Sequence, residues 1–236
     1  MSSSYVFPVR DVVGLPVAGA DAQFPVRRVY CVGRNYAGHA REMGSDPDRE
    51  PPFFFCKPGD DAAIVPAKPG RVTELPYPPQ TSNYHYECEL VVAIGKGGRD
   101  IPVEQARQHI YGYAVGFDMT RRDLQGQMKE AGRPWEVGKA FDYSAPIGLI
   151  HRAEDVPGIE QASIALSVDG QVRQSSSIAH LIWSLSETIA NLSTLWELQP
   201  GDLVFSGTPE GVGAVRRGQT LVGEIAGLTP LVVKIV

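Results

Sequence analysis

The seven residues from Tyr84 to Leu90 read YHYECEL and set two carboxylates, Glu87 and Glu89, on either side of Cys88. The run Leu90–Ile94, LVVAI, is rich in β-branched residues, which is strand composition. Side chains on a strand alternate between faces, so Glu87 and Glu89 project together, roughly 7 Å apart along the chain. Carboxylates that close repel each other unless a proton or a cation lies between them. A hard divalent cation with oxygen ligands is one resolution. A solvated, exposed strand is the other. Asp118 shifts the balance toward the metal, because it ends the apolar run YGYAVGFDMT, where a carboxylate without a partner is costly to bury. Three carboxylates with no imidazole or thiolate set point to Mg²⁺, Mn²⁺ or Ca²⁺ over Zn²⁺. His85 falls on the same face as Glu87 and is either a further ligand or a packed histidine. Cys88 faces the other way and reads as core.

A second group lies upstream. His39 and Glu42 are three residues apart in YAGHAREM, hence adjacent on one face of a helix expected over Tyr36–Met43. They form either a surface ion pair or a dyad in which Glu42 orients His39 to deprotonate water. Gly33, Gly38 and Gly44 around this helix would allow it to move as a lid. Lys57 and Arg122 read equally well as solvated. Lys139, set between Gly138 and Ala140 among aromatic residues, suits a site of developing negative charge. SGTPEGVG (206–213) offers backbone N–H groups and the Thr208 hydroxyl, either as a carboxylate cradle or as a tight turn. It lacks the order of a phosphate loop.

The elements that must position these residues follow from periodicity. Strands are expected at Arg28–Val32, in PFFFCKPGD (52–60, short and buried, ending in Lys57-Pro58), at Leu90–Ile94 and Tyr111–Thr120, with further strands at DLVFSG, QTLVGEIAG and PLVVKIV. Residues 163–173 form a hairpin about Asp169-Gly170. Helices are expected at IPVEQARQHI, at Thr120–Ala131 with Thr120 and Asp123 as a capping box, and from a cap at Ser175–Ser177 through Leu195. SDPDREPP (45–52) is a polar loop, and residues 66–82 are rich in turn formers. Residues 1–25, with Pro8, Pro16 and Pro25, form an N-terminal arm with one short hairpin. Residues 26–236 form one β-rich α+β catalytic domain.

The 236 residues are 43% apolar and 21% charged, ordinary for a globular protein. A net charge of −5 argues against nucleic-acid and anionic-membrane partners. No apolar run reaches the ~20 residues of a membrane span, and the N-terminus has no signal-peptide pattern. Three cysteines, an odd number without metal-ligand spacing, read as reduced thiols in a cytoplasmic protein.

Six stretches together, VGRNYAGHAREMG, FFFCKPGD, YHYECELVVAIG, GFDMTRRDLQ, RPWEVGKAFD and FSGTPEGVG, resemble the fumarylacetoacetate hydrolase superfamily in order and spacing, from about Arg28 to the C-terminus. Within it, FPVRRVYCVGRNYA and DPDREPPFFFCKP are similar to the acylpyruvate hydrolases, in particular the fumarylpyruvate-cleaving group of the gentisate pathway. The resemblance implies a mixed β-sandwich roll with a few peripheral helices, assembled as a homodimer, with Mg²⁺ in the β core. It implies Glu87, Glu89 and Asp118 as metal ligands, His39 and Glu42 as the water-activating dyad on a lid, and Lys139 beside the metal. Gln125 and Thr208, with Arg34 and Arg122, would contact the substrate.

The implied reaction is hydrolysis of a 2,4-dioxo acid at its 4-keto carbon, with pyruvate leaving as its enolate; fumarylpyruvate would give fumarate and pyruvate. Arg34, Lys57 or an N-terminal arginine would meet the far carboxylate. Oxaloacetate decarboxylation or dioxo-acid isomerisation would use the same site, though an isomerase has no need of a water-activating dyad. A sugar-acid dehydratase or lyase would act on hydroxy acids instead. A non-catalytic metal-binding protein on the same fold would bind metal without turnover.

Overall fold

The computed structural model describes residues 4–44, 50–68 and 70–236. Residues 45–49 of the expected polar loop, Pro69 and the first three residues of the arm lie outside the described residues. The centre is the strand Cys88–Ile94, buried along its whole length. A continuous apolar run is what a strand covered on both faces requires. Cys88, Leu90, Val92 and Ile94 enter one core and Val91 and Ala93 the other. Glu89 shares the second face, at the end where the sheet opens.

An eight-stranded mixed sheet is built around this strand. Its order is Phe53–Lys57, Val29–Gly33, Leu203–Phe205, Cys88–Ile94, Ile110–Phe117, Ala145–Ile147 and Ile64–Pro66, and the short His151–Arg152 also pairs with Ile110–Phe117. A five-stranded sheet packs against the first face. It contains the hairpin Ser163–Val168 and Gln171–Ser177, followed by Thr220–Ile225, Leu231–Ile235 and Thr73–Leu75. Asp169 and Gly170 join the hairpin with positive φ at both positions, as a two-residue primed turn demands. On the other face, Gly14–Pro16 pairs with Gln23–Pro25, and Leu15, Val17, Phe24 and Val26 close the second core. The architecture is a β-rich α+β roll with few helices.

Among the described residues, four α-helices decorate it: α1 (Ala37–Glu42), α2 (Arg122–Glu130), α3 (Glu136–Lys139) and α4 (Leu185–Leu195). None of the described helices is long and apolar enough to cross a membrane.

Several elements differ from expectation. The helix expected from Ser177 to Leu195 is broken. Ser177 caps only a 3-10 turn, Ile178–His180, after which the chain is extended. Leu181 bridges to Tyr36, and Asn35 takes the Ile182 and Trp183 N–H groups through its carbonyl and amide oxygens, both at 2.8 Å. α4 begins at a capping box of Ser184 and Glu187. The Thr120–Asp123 box is not formed either. α2 starts two residues later with no side-chain cap, Asp123 accepts from Thr81 and Ser82 of a neighbouring loop, and Thr120 turns toward the carboxylates. Phe53–Lys57 is an edge strand with Phe53 and Cys56 exposed, because its outer side has no partner strand. The segment 103–109 is a 3-10 helix.

Candidate active site

The carboxylates come together through strand pairing. Cys88 lies opposite Phe117 and Glu89 opposite Gly116, and the Asp118 N–H donates to the Glu87 carbonyl at 2.9 Å. Asp118 therefore sits across from Glu87 where the two strands part. One oxygen from each of Glu87, Glu89 and Asp118 lies within 4.8 Å of the others, and all three residues are buried. The expected trio is thus a cluster on two adjacent strands.

Three cations face it. Lys139 Nζ donates to Glu87 Oε2 at 2.7 Å, Asp118 Oδ2 at 2.7 Å and Thr120 Oγ1 at 2.8 Å, using all three of its N–H bonds. Arg122 pairs with Glu87 Oε1 and donates to Gln125 Oε1 at 2.6 Å. Lys57, read from sequence as either solvated or a cation for the far carboxylate, is 3% exposed and 2.8 Å from Asp118 Oδ1, with the Met119 and Lys139 carbonyls as acceptors. That ion pair lacks hydrogen-bond alignment, so Asp118 Oδ1 is buried without a donor. Among the described residues, Glu89 has only the Gly207 N–H, at 2.7 Å.

The charge balance follows from these partners. Burial alone would raise the Glu87 carboxyl, but Lys139 and Arg122 outweigh it and hold it below the usual range. Burial, reinforced by Asp118 and Glu87, pushes the Glu89 carboxyl well up. Burial disfavours the Lys139 ammonium, yet Asp118 and Glu87 keep it above its ordinary value. Asp118 Oδ1 thus keeps a lone pair without an aligned donor, and Glu89 a carboxyl group without a cationic partner among the described residues, the condition a divalent cation relieves.

Lys139 is the last residue of α3, and its place depends on how closely α2 and α3 approach. A Cβ on Gly138 would stand 2.8 Å from Gln125 N and 2.9 Å from Gln125 Cα. Only glycine allows that contact. Arg122 and Gln125 occupy the first turn of α2, three apart and on one face.

His39 and Glu42 meet on α1. His39 Nδ1 is 3.4 Å from Glu42 Oε2, and Glu42 also accepts from the Gly211 N–H at 3.2 Å. The His39 hydrogen bond, opposed by partial burial and aided by Gly211, lowers the Glu42 carboxyl. His39 itself is 6% exposed.

These residues share one pocket of about 460 Å³ including its mouth, lined by His39, the three carboxylates, Lys139, Arg122, Gln125, Thr208 and Arg34. Glu42 does not line it but reaches it through His39, and Lys57, an expected candidate for the far carboxylate, does not line it either. His85 is not part of the carboxylate cluster: it bonds Asn83 at 2.8 Å and Arg122 at 3.4 Å, and burial, with Arg122 beside it, pulls its imidazole down to about 4. The pocket adds Lys129, Phe55 and Trp135, which sequence reasoning passed over. Trp135 and Phe53 lie beside the Arg34 guanidinium, with ring centroids 5.9 and 5.5 Å from it.

Residues 28–236 match the family described as fumarylacetoacetate (FAA) hydrolase C-terminal. The chain is 52% identical over 155 residues to a fumarylpyruvate hydrolase of Ralstonia sp, covering 66% of this chain and 80% of that one. It is 41% identical over 204 residues to the oxaloacetate tautomerase YcgM of Escherichia coli K12, covering 86% of this chain and 90% of that one. Among solved structures, fumarylpyruvate hydrolase from Pseudomonas aeruginosa in complex with Mn²⁺ and pyruvate superposes with a TM-score of 0.96 at 62% identity, covering 99% of both chains. With the matched region spanning the whole site, the chain belongs to the fumarylacetoacetate hydrolase family.

Proposed function

We propose that the protein hydrolyses a carbon–carbon bond in an acylpyruvate, converting fumarylpyruvate to fumarate and pyruvate in the gentisate route of aromatic degradation. The observation that carries this reading is the convergence, in one pocket, of a buried carboxylate trio and a histidine–glutamate dyad. The fumarylpyruvate hydrolases at 52% and 62% identity support the substrate.

Glu87, Glu89 and Asp118 suit a divalent cation, because Asp118 Oδ1 is buried without a donor and Glu89 has no cationic partner among the described residues. We take Mg²⁺ as the working ion; Mn²⁺ or Ca²⁺ suits the same oxygens. When bound, such an ion supplies Lewis acidity toward the oxygens of a 2-oxo acid. The chain's residues supply the rest. His39 Nδ1 is turned to Glu42, which leaves Nε2 to take a proton from water. The water oxygen bonds to the acyl carbonyl carbon. The bond from that carbon to the methylene then breaks, its electron pair passes to pyruvate as the enolate, and the proton held at His39 Nε2 returns to the methylene carbon. Lys139, its donors all engaged, fixes Glu87 and Asp118 and places positive charge beside the developing anion.

Gln125 has its amide oxygen occupied by Arg122, so its N–H groups are the ones left for a substrate carboxylate. Thr208 contributes a hydroxyl from the facing loop. Arg122 and Lys57 are committed to Glu87 and Asp118. The far carboxylate of the fumaryl group therefore falls to Arg34, at the pocket wall between Phe53 and Trp135. We take the working form to be a cytoplasmic homodimer, with residues 1–25 as an arm and 26–236 as the catalytic unit.

A second reading acts on oxaloacetate: its tautomerisation is favoured by the 41% relative, and its decarboxylation by an oxaloacetate decarboxylase of Dictyostelium discoideum at 37% identity. The test is turnover of fumarylpyruvate, acetylpyruvate and oxaloacetate side by side with Mg²⁺. Fumarate and pyruvate in equal amounts, at the highest kcat/KM of the three, is the expected result. Preference for oxaloacetate would replace the first reading with the second.

A further inference from the structure

The strand Gln171–Ser177 lies at the edge of the five-stranded sheet, and most of its residues are exposed or half-buried. Gln174 is the exception, at 0% exposure. A primary amide has no reason to enter a core unless its donors and acceptor are met there. At Gln174 they are. Its amide oxygen accepts the Cys88 N–H at 3.0 Å. Its amide nitrogen donates to Thr208 Oγ1 at 2.9 Å and to the Pro209 carbonyl at 2.8 Å. One side chain from the second sheet thus ties the residue between Glu87 and Glu89 to the loop over the pocket.

The backbone is built to aim it there. Leu166 pairs with Gln174 and Ser167 with Val172, so Arg173 is an extra residue, a bulge. A bulge re-aims the neighbouring side chain. The same loop is pressed onto that bulge: a Cβ on Gly211 would stand 2.1 Å from the Arg173 carbonyl oxygen, and Gly211 has φ +91°.

The consequence falls on the Thr208 hydroxyl. Its oxygen receives the Gln174 N–H, so its own proton must point away from Gln174. In the structure that proton is donated to the Cys88 carbonyl, at 2.9 Å; turned from it, the proton faces the pocket that Thr208 lines, where a substrate oxygen would accept it. We propose that Gln174 is a positioning residue that holds Thr208 as a hydrogen-bond donor toward an anionic oxygen of the substrate. The proposal rests on the reading of Thr208 as a substrate contact.

Gln174→Glu tests it. The variant keeps the size and the acceptor for the Cys88 N–H, but replaces the donor to Thr208 with an acceptor that captures the hydroxyl proton. On Mn²⁺-loaded enzyme, KM for fumarylpyruvate should rise about tenfold or more, the scale of a lost hydrogen bond to a charged group, with a smaller change in kcat. The Mn²⁺ dissociation constant should stay within about threefold. Thr208→Val should give a similar KM, and the double variant should be no worse than either single one. A wild-type KM in Gln174→Glu overturns the proposal, as does full additivity with Thr208→Val. If Thr208→Val itself has a wild-type KM, the assignment of Thr208 fails and takes the proposal with it. A raised KM in Thr208→Val with none in Gln174→Glu removes only the proposal. If Gln174→Glu does not fold, Gln174→Met, which lacks the donor, is judged by the same KM. Failure of both to fold makes the residue purely structural and overturns the proposal.

Discussion

Glu89 differs from its two companions in what surrounds it. Glu87 and Asp118 each touch buried ammonium or guanidinium groups, while Glu89 meets a single backbone N–H. The sequence reading reached all three carboxylates through the alternation of a strand and the cost of burying Asp118. It missed Lys57 as a buried partner, because a lysine at the end of FFFCK looks the same whether it turns inward or outward. Gln174 was illegible for a related reason: a bulge at the neighbouring Arg173, set by the register with Leu166 and Ser167, decides where it points. His39→Ala should leave divalent metal binding intact and slow fumarylpyruvate hydrolysis by roughly 10²–10⁴-fold, the usual loss for a general base; an unchanged rate removes His39 from the chemistry. Glu42 has a lowered carboxyl in the folded protein, held down by His39 and Gly211. Its contribution to stability is present above the ordinary carboxylate range and is lost as pH falls through the folded value. The gap in Tm between the wild type and Glu42→Gln should therefore be widest near neutral pH and close in acid. A gap independent of pH would show that the lowered carboxyl has no bearing on folding.

Elements bring these residues into register. The pairing of Cys88–Ile94 with Ile110–Phe117 carries Asp118 to Glu87, and the contact of α2 with α3 carries Lys139 to both. The main strands and the Asp169-Gly170 hairpin were legible from period-two patterning and turn chemistry. The long helix was misread because Ile178, Leu181, Ile182 and Leu185 keep helical spacing through a segment that is extended in the fold. The S-x-x-E signature at Ser184 and Glu187 marked the true start. Tertiary contacts of Asn35 and Tyr36, remote in sequence, decide the break. Gly138→Ala tests the α2–α3 contact. Its Cβ would press on the Gln125 backbone, so the variant should lose about 1–3 kcal/mol of stability, the cost of overpacking, together with activity as Lys139 is displaced. Urea denaturation and kcat would check both; wild-type values for the two would mean that the helices part freely.

The whole molecule is one roll in which two sheets and the N-terminal hairpin sandwich the central strand. Its outer arm leaves Tyr5, Val6, Phe7, Val9 and Val12 exposed. Apolar side chains gathered in one stretch of surface suit a covering partner. Light scattering should accordingly give a mass of twice 25.6 kDa, and a mass of 25.6 kDa would contradict the homodimer. The homodimer is an expectation of the family resemblance alone, since no pattern within the chain encodes a two-fold axis.

The most direct test of the central claim is to strip the protein with EDTA and titrate Mn²⁺ back while following fumarylpyruvate. The account predicts no turnover without metal and full recovery at one ion per chain, with Glu89→Gln failing to recover. Fumarate and pyruvate released at the full rate in EDTA would contradict it.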